Sequence, residues 1–172
     1  MITTIAYFQT KGHPNYIPNL ITGSDVSEIE IAAVNFSISV YEPEYLKNVL
    51  GVKLYDQYVV DIEDDVLKVK WESFIEKLTD TTTFMSPIAD YIYINHICNN
   101  CLIFNGLGAN LGVPNEKGEI TPVIVLQQRA IYNMIAKNKV FLAWIYDNSE
   151  EFDTDNLIDF TCWESMITYN II

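Results

Sequence analysis

Apolar residues recur at helical spacing over most of the chain after residue 40. Pro43 is suited to the first turn of a helix and Gly51 to its C-terminal end, so the first clear helix is predicted between them. Shorter helices are predicted over about residues 53–61 and 66–78. The helix at 66–78 is expected to bury one stripe of large side chains: Val66, Val69, Trp71, Phe74 and Leu78.

Two longer helices are predicted further along the chain. Ser86-Pro87 combines a capping hydroxyl with a proline at the first helical position and predicts a helix over about 86–105. This helix is apolar nearly all round, which indicates a central position or contacts with neighbouring subunits. Thr121-Pro122 repeats the cap and predicts the longest helix, over about 122–147. Its expected buried stripe is Ile124, Ile131, Met134, Ile135, Phe141, Leu142 and Ile145.

A glycine-rich segment separates these two helices. Its glycines are Gly106, Gly108, Gly112 and Gly118. The spacing predicts a long loop or hairpin, and connections of that length inside a compact domain are usually functional or form interaction arms. The apolar residues of this segment are therefore candidate protein-interaction residues: Leu107, Leu111 and Val113.

The N-terminal 40 residues lack clear helical periodicity at first and are predicted to form an extended arm with a short strand at Thr3–Phe8. Residues 34–40 alternate between apolar and polar side chains, which favours a strand. Val26, Ile29, Ala33, Phe36 and Val40 also fit helical spacing. We favour the strand, because β-branched and serine residues disfavour a helix.

Residues 148–172 are first acidic and then aromatic, and they end in two isoleucines. This pattern is typical of a docking tail on an acidic tether, and the alternative is a tail that folds back onto its own core. The candidate docking residues are Phe152, Phe160, Trp163, Met166, Ile167 and Tyr169. The chain is thus predicted to be mainly α: a small helical bundle over 41–147, with an N-terminal arm over 1–40 and this C-terminal tail.

The charge balance excludes a nucleic-acid-binding surface. The chain carries 10 Lys plus Arg against 23 Asp plus Glu, a net charge of −13. Binding to phosphates needs a basic face. The acids concentrate at residues 56–65 and 150–164, which indicates either a solvated face or an acidic surface that repels DNA, as the wall of a DNA channel would. The channel-facing candidates are Asp61, Glu63, Asp64 and Asp65.

Residues able to carry catalysis are scarce. Cys98 and Cys101 form a CxxC pair just after His96, but they lie late in a predicted helix, where the negative helix end should raise a thiol pKa. The three side chains would also project in different directions, and no second ligand pair follows. The favoured interpretation is that Cys98 and Cys101 are small residues that face the core. We therefore expect no enzyme, no metal and no cofactor.

The chain has three cysteines, an odd number without the regular spacing of a disulfide scaffold. This indicates a protein that is kept in a reducing compartment. The first ten residues lack the pattern of a signal peptide. Every apolar run is broken well before the ~18 residues that a membrane-spanning helix needs. We expect a protein made in the cytoplasm and not associated with a membrane.

Several segments together resemble the head–tail connector proteins of tailed bacteriophages, of the type found in Bacteroides phages and crAss-like phages. Tyr41-Glu-Pro-Glu-Tyr-Leu-Lys-Asn-Val-Leu-Gly-Val-Lys-Leu-Tyr resembles the opening helical pair of that family, and Ser86-Pro-Ile-Ala-Asp-Tyr-Ile-Tyr its central helix. Asn105-Gly-Leu-Gly and Gly112-Val-Pro-Asn resemble its glycine-bearing excursion. The last long helix, with Arg129, Tyr132, Asn133 and Met134, follows in order. The resemblance covers about residues 41–147.

The resemblance implies a helical subunit of a ring in the virion neck, commonly of twelve copies. Such a ring binds the portal protein and other neck or tail ring proteins, and DNA passes through it without specific binding. Two alternatives stay open. One is an acidic DNA mimic that binds a host protein, for which the acids should lie in phosphate-like rows. The other is a small redox or metal protein built on Cys98 and Cys101.

Overall fold

The fold is known from a computed structural model, which describes residues 1–10, 13, 15–17, 20, 25–79, 86–100, 102–105, 108–114, 120–148 and 150. The described chain is mainly helical and forms a small bundle, which confirms the predicted fold class. The helices are α1 (Ala6–Gln9), α2 (Asp25–Asp61), α3 (Val69–Leu78), α4 (Pro87–Asn100) and α5 (Val123–Asp147). The strands are β1 (Leu102–Asn105), β2 (Gly108–Pro114) and β3 (Ile120–Pro122).

The glycine-rich segment between α4 and α5 forms an antiparallel sheet in the order β1-β2-β3. Leu102 pairs with Leu111 across β1 and β2, and Val113 pairs with Thr121 across β2 and β3. The predicted loop or hairpin is therefore a hairpin extended by a third strand. The helix predicted over 86–105 ends earlier, at Asn100, because the chain turns into β1 at Leu102.

Helix α2 is much longer than predicted and begins well before Pro43, which lies inside it. The predicted strand at 34–40 is wrong, since this segment belongs to α2. Val34, Ser37 and Ile38 bury one side of the helix, whereas Asn35, Phe36 and Ser39 are exposed. Burial therefore follows helical spacing rather than alternation.

Gly51 divides α2 into two helical segments, 25–50 and 52–61. Its backbone has φ 74° and ψ 162°, a combination that only glycine adopts readily because any other residue would bring its Cβ against the backbone. The prediction that Gly51 ends one helix and that another follows is confirmed.

The N-terminal residues pack on the bundle instead of forming a separate arm. The strand predicted at Thr3–Phe8 is wrong, because α1 occupies part of it. Tyr7 and Phe8 of α1 are buried, as are Ile17 and Leu20. The domain boundary predicted at residue 40 falls within α2, so the described N-terminal residues and the bundle share one core.

Helix α4 lies at the centre of the bundle and packs against both α2 and α5. Its buried apolar side chains, each at most 5% exposed, are Ile88, Ala89, Tyr91, Ile92, Tyr93, Ile94 and Ile97. The Ser86 hydroxyl accepts a hydrogen bond from the Ile88 N–H at 3.2 Å, as a helix cap does. The predicted cap and central position are both confirmed.

An edge-to-face aromatic cluster joins α3 to the end of α2 and to α5. Trp71 is 5.1 Å from Tyr58 and 5.4 Å from Phe74, and Phe74 is 5.2 Å from Phe141, measured between ring centroids. Val66 and Val69 are exposed, so only Trp71, Phe74 and Leu78 of the predicted stripe lie in the core.

Helix α5 matches its predicted bounds, although Thr121 is not its cap: Pro122 precedes the first helical residue, and no side chain caps the helix. Of the predicted stripe, Ile131, Met134, Phe141 and Ile145 are buried, and Ile135 and Leu142 are partly buried. Ile124 is 44% exposed, because full burial along this helix starts only at Ala130.

Candidate functional site

A buried ion pair joins the two helices α4 and α5. The Lys137 Nζ lies 2.7 Å from the Asp90 carboxylate, which is completely buried. Burial raises the pKa of Asp90, although Lys137 opposes the shift by attraction and by its hydrogen bond, with smaller opposing effects from Asn15 and His13. Charges this deep need partners, so the pair specifies how α4 meets α5.

Two tyrosine hydrogen bonds lie beside this pair. The Tyr45 hydroxyl of α2 donates to the Asn138 side-chain oxygen of α5 at 2.5 Å, and both groups are fully buried. The Tyr91 hydroxyl of α4 donates to Glu44 of α2 at 2.6 Å. Burial raises the pKa of Tyr45 well above its usual value, so the phenol stays protonated as a donor. Helices α2, α4 and α5 are thus tied together by one hydrogen bond within the core and one at its edge.

The buried Glu42 carboxylate of α2 holds the start of the chain. It accepts hydrogen bonds from the backbone N–H groups of Ile2 at 2.8 Å and Thr3 at 2.6 Å. Both carboxylate oxygens are used, so the side chain behaves as a clamp on extended backbone. This contact explains why residues without a helix of their own nevertheless pack on the bundle.

The Glu42→Gln variant tests this clamp. An amide offers one oxygen, and its NH₂ group would face the second N–H, so we expect a loss of about 1–2 kcal/mol in the free energy of unfolding. Amide hydrogen exchange at Ile2 and Thr3 should become faster than in the wild type. Glu28→Gln, at an exposed position of the same helix, is the matched control and should change neither quantity. Unchanged exchange in the Glu42 variant would contradict the assignment.

Ser37 and His96, both buried, and the partly exposed Glu30 make a connected group between α2 and α4. The Ser37 hydroxyl lies 3.0 Å from His96 Nδ1, and His96 Nε2 lies 3.4 Å from the Glu30 carboxylate. The order of these groups is that of a Ser–His–acid triad. However, Ser37 is only 3% exposed and His96 1% exposed, so a substrate has no route to the hydroxyl. We interpret the group as a satisfied structural histidine.

This group was missed by the sequence analysis, which paired His96 only with the nearby cysteines. Ser37 and Glu30 lie two helical turns apart on one face of α2. The signal was hidden because residues 34–40 were interpreted as a strand, which separates the two side chains.

Cys98 is exposed rather than core-facing, contrary to prediction. Its thiol pKa is raised by partial desolvation, an effect that a hydrogen bond from the Gln127 side chain opposes. The direction of the shift agrees with the prediction, and its largest cause is desolvation. Cys101 lies outside the described residues. Within the part of the chain that the structure describes, no group of His, Cys, Asp or Glu side chains could hold a metal ion.

The acidic turn after α2 places Glu63, Asp64 and Asp65 at the surface. Asp64 accepts hydrogen bonds from the backbone N–H groups of Val66 at 2.8 Å and Leu67 at 3.2 Å. These bonds close the turn before α3. The Asp65 carboxylate is hydrogen-bonded to Lys68, which lowers its pKa.

Asp61 differs from its acidic neighbours because it is 5% exposed. Its carboxylate accepts a hydrogen bond from Trp71 Nε1 at 3.1 Å and lies 2.5 Å from Lys70 Nζ. Burial raises its pKa, but the hydrogen bonds from Lys70 and Trp71 outweigh burial and lower it overall. Asp61 therefore anchors the aromatic cluster and, unlike the other three channel-facing candidates, is buried in the folded subunit.

Large apolar side chains also line the outside of the bundle, in two faces that carry opposite charge. On α5, the basic face consists of Arg129, Tyr132, Ala136, Lys139, Val140 and Ala143, all exposed. At the end of α2 and just beyond, the acidic face consists of Val52, Asp56, Val59, Val60 and Glu63, also exposed. Tyr132 and Val140 are 72% and 71% exposed, and Val52 and Val60 are 65% and 68% exposed.

A third apolar stripe lies on the first segment of α2, with Ile29 74% and Phe36 68% exposed and Val40 next to them. Surfaces with contiguous large apolar side chains usually mark sites of association. The described bundle therefore has several surfaces suited to contact with other proteins. The sequence predicted such contacts elsewhere, in the glycine-rich segment and in the tail.

The interaction residues predicted from sequence lie beyond what the structure describes. Leu107 and the tail candidates Phe152, Phe160, Trp163, Met166, Ile167 and Tyr169 fall outside the described residues. Leu111 and Val113 lie on β2, where only the backbone is described. Within the described part, no helix is both long and apolar enough to cross a membrane.

No protein-family model matches this sequence, and comparison with curated proteins and with solved structures finds no match either.

Proposed function

We propose that this protein is a structural subunit of a phage neck, a head–tail connector that forms a ring and docks on the portal protein. The observation that carries the proposal is the pair of apolar, oppositely charged faces on a small helical bundle. Monomeric proteins rarely expose contiguous patches of large apolar side chains, whereas a ring subunit buries such patches against its neighbours. The resemblance of residues 41–147 to connector proteins supports the same proposal.

The net negative charge of the chain suits a further part of this role, which is to extend the DNA channel. A wall of acids repels the phosphate backbone, so DNA can slide without being held. Glu63, Asp64 and Asp65 are the exposed candidates for such a wall. No catalytic step is part of the proposal, because the Ser37–His96–Glu30 group is closed to substrates.

Docking on the portal or on the next ring is assigned to the tail after Asp147, with its aromatic residues on an acidic tether. Exposed aromatic anchors commonly dominate binding between proteins. The six acids between residues 150 and 164 would keep such a tail from collapsing onto an acidic bundle.

The test is co-assembly with the portal protein of the same phage, imaged by negative stain. We expect a ring at the narrow end of the portal, with a copy number that can be counted directly. A chain that ends at residue 149 is the matched variant and should lose portal binding. If the full chain ignores the portal in the presence of the other neck proteins, the connector proposal is wrong. Salt-sensitive binding to a basic host protein would instead support the acidic mimic.

A further inference from the structure

The basic face and the acidic face are complementary in both apolar and charged groups. The basic face places Arg129 and Lys139 among Tyr132 and Val140 on one side of α5. Within α5, the only acid is Asp147, at its last position. The acidic face places Asp56 and Glu63 among three valines at helical spacing.

The two faces point away from the core that their helices share. On α5, the side opposite the basic face carries Met134 and Phe141, which are buried. On the second segment of α2, the side opposite the acidic face carries Leu54 and Tyr58, which are also buried. Helix α3 lies between these two helix segments, since its aromatic rings contact both Tyr58 and Phe141. One copy therefore cannot bring its own two faces together.

We infer that the basic face of one copy binds the acidic face of the next copy. Because the two faces are different, the contact is heterologous, and a chain of such contacts closes into a ring when the rotation between copies allows it. This inference deepens the proposed function by naming the contact between ring subunits. It also assigns Glu63 to that contact, which leaves Asp64 and Asp65 for the channel wall.

A second copy fits the basic face better than nucleic acid does. The face offers two exposed cations in a chain of net charge −13, whereas binding to DNA rests on several Lys or Arg side chains that neutralise phosphates. Another copy supplies two acids with apolar residues between them. Tyrosine and arginine are also the side chains that protein interfaces favour.

Charge reversal tests the contact on the full-length chain. One variant carries Arg129→Glu and Lys139→Glu, and the other carries Asp56→Lys and Glu63→Lys. In each variant alone, the two faces carry charges of the same sign and repel each other, so its self-association should be weakened about 100-fold. An equimolar mixture should recover it, because each reversed face meets its opposite on the other variant and the copies alternate. Self-association is measured by sedimentation equilibrium, and that of the wild type should weaken as salt is added.

The matched control carries Glu28→Lys and Glu76→Lys, which changes the net charge as much as the acidic-face variant does but at exposed positions outside both faces. It should associate like the wild type. A wild-type chain that stays monomeric up to millimolar concentration overturns the inference. So does association that the Asp56 and Glu63 reversal leaves unchanged, since the basic face would then meet another acidic segment, such as residues 150–164. Mixed variants that fail to recover association overturn it as well.

These outcomes are separate from the test of the connector role. Rings on the portal that both reversal variants still form would leave the proposed function standing and refute the contact. Charge-dependent self-association without portal binding would support the contact between copies and refute the proposed function.

Discussion

The Lys137→Met variant is expected to lose about 3 kcal/mol or more of its free energy of unfolding. Lys137 is the cation paired with Asp90, whose side chain is 1% exposed. Methionine keeps the length and the apolar stem of lysine but removes the charge, which leaves a buried carboxylate without its ion-pair partner. Urea denaturation of wild type and variant measures the difference.

The same variant should show a characteristic pH dependence. Burial already raises the pKa of Asp90 above its ordinary 3.8, and loss of Lys137 raises it further. The folded state then binds the proton more tightly than the unfolded state. The stability linked to this group is therefore present below the unfolded pKa and is lost as pH rises through the folded pKa. The deficit of the variant should be smallest in acid and should widen towards neutral pH.

Two further variants separate this effect from a general loss of packing. Adding Asp90→Asn to Lys137→Met removes the unpaired charge and should recover much of the lost stability and abolish the pH dependence. Lys53→Met changes an exposed lysine and should stay within about 0.5 kcal/mol of the wild type. A pH-independent deficit in Lys137→Met would show that lost packing, and not the buried charge, is responsible.

The Gly51→Ala variant is expected to lose about 2–3 kcal/mol. Gly51 is buried at φ 74° and ψ 162°, where a methyl group collides with the backbone. Alanine also favours a continuous helix, which would redirect segment 52–61 away from the core contacts of Leu54 and Tyr58. Thermal and chemical denaturation both report the loss, and reduced near-ultraviolet circular dichroism from the aromatic cluster should accompany it.

Gly51→Asn provides the discriminating comparison. Asparagine tolerates the left-handed helical region but not the extended ψ seen here, so it should not rescue the stability. A fully stable asparagine variant would mean that Gly51 occupies an ordinary left-handed turn. Normal stability of the alanine variant would mean that the two segments of α2 form one straight helix.

Much of the bundle could be predicted from the sequence because local signals agreed with the packing. The Ser86-Pro87 cap and the apolar surroundings of α4 predicted both its start and its central place. Gly51 marked the break in α2, and the glycines after Asn105 marked a hairpin or loop. These features depend on residues close together in sequence, where capping and backbone preferences act directly.

The errors arose where tertiary contacts override local preference. Residues 34–40 alternate like a strand, yet Ser37 is buried because it meets His96, 59 residues further along the chain. No pattern in the sequence indicates that His96 is the partner of Ser37. The exposed faces were missed for a related reason: the predicted stripe of α5 leaves out Tyr132 and Val140, but helical spacing alone does not show whether another part of the chain covers them.

The central position of α4 governs the order in which the fold is completed on the ribosome. This helix ends at Asn100, whereas α5, which covers its other side, begins at Val123. The nascent chain therefore emerges with one side of this apolar helix uncovered, before the helix that shields that side has been made. The Tyr45–Asn138 hydrogen bond, spanning 93 residues, can form only after Asn138 has been made and has left the ribosome. Until then the side of α4 that packs on α5 stays uncovered, and a premature stop within α5 would leave apolar side chains of α4 without the helix that buries them.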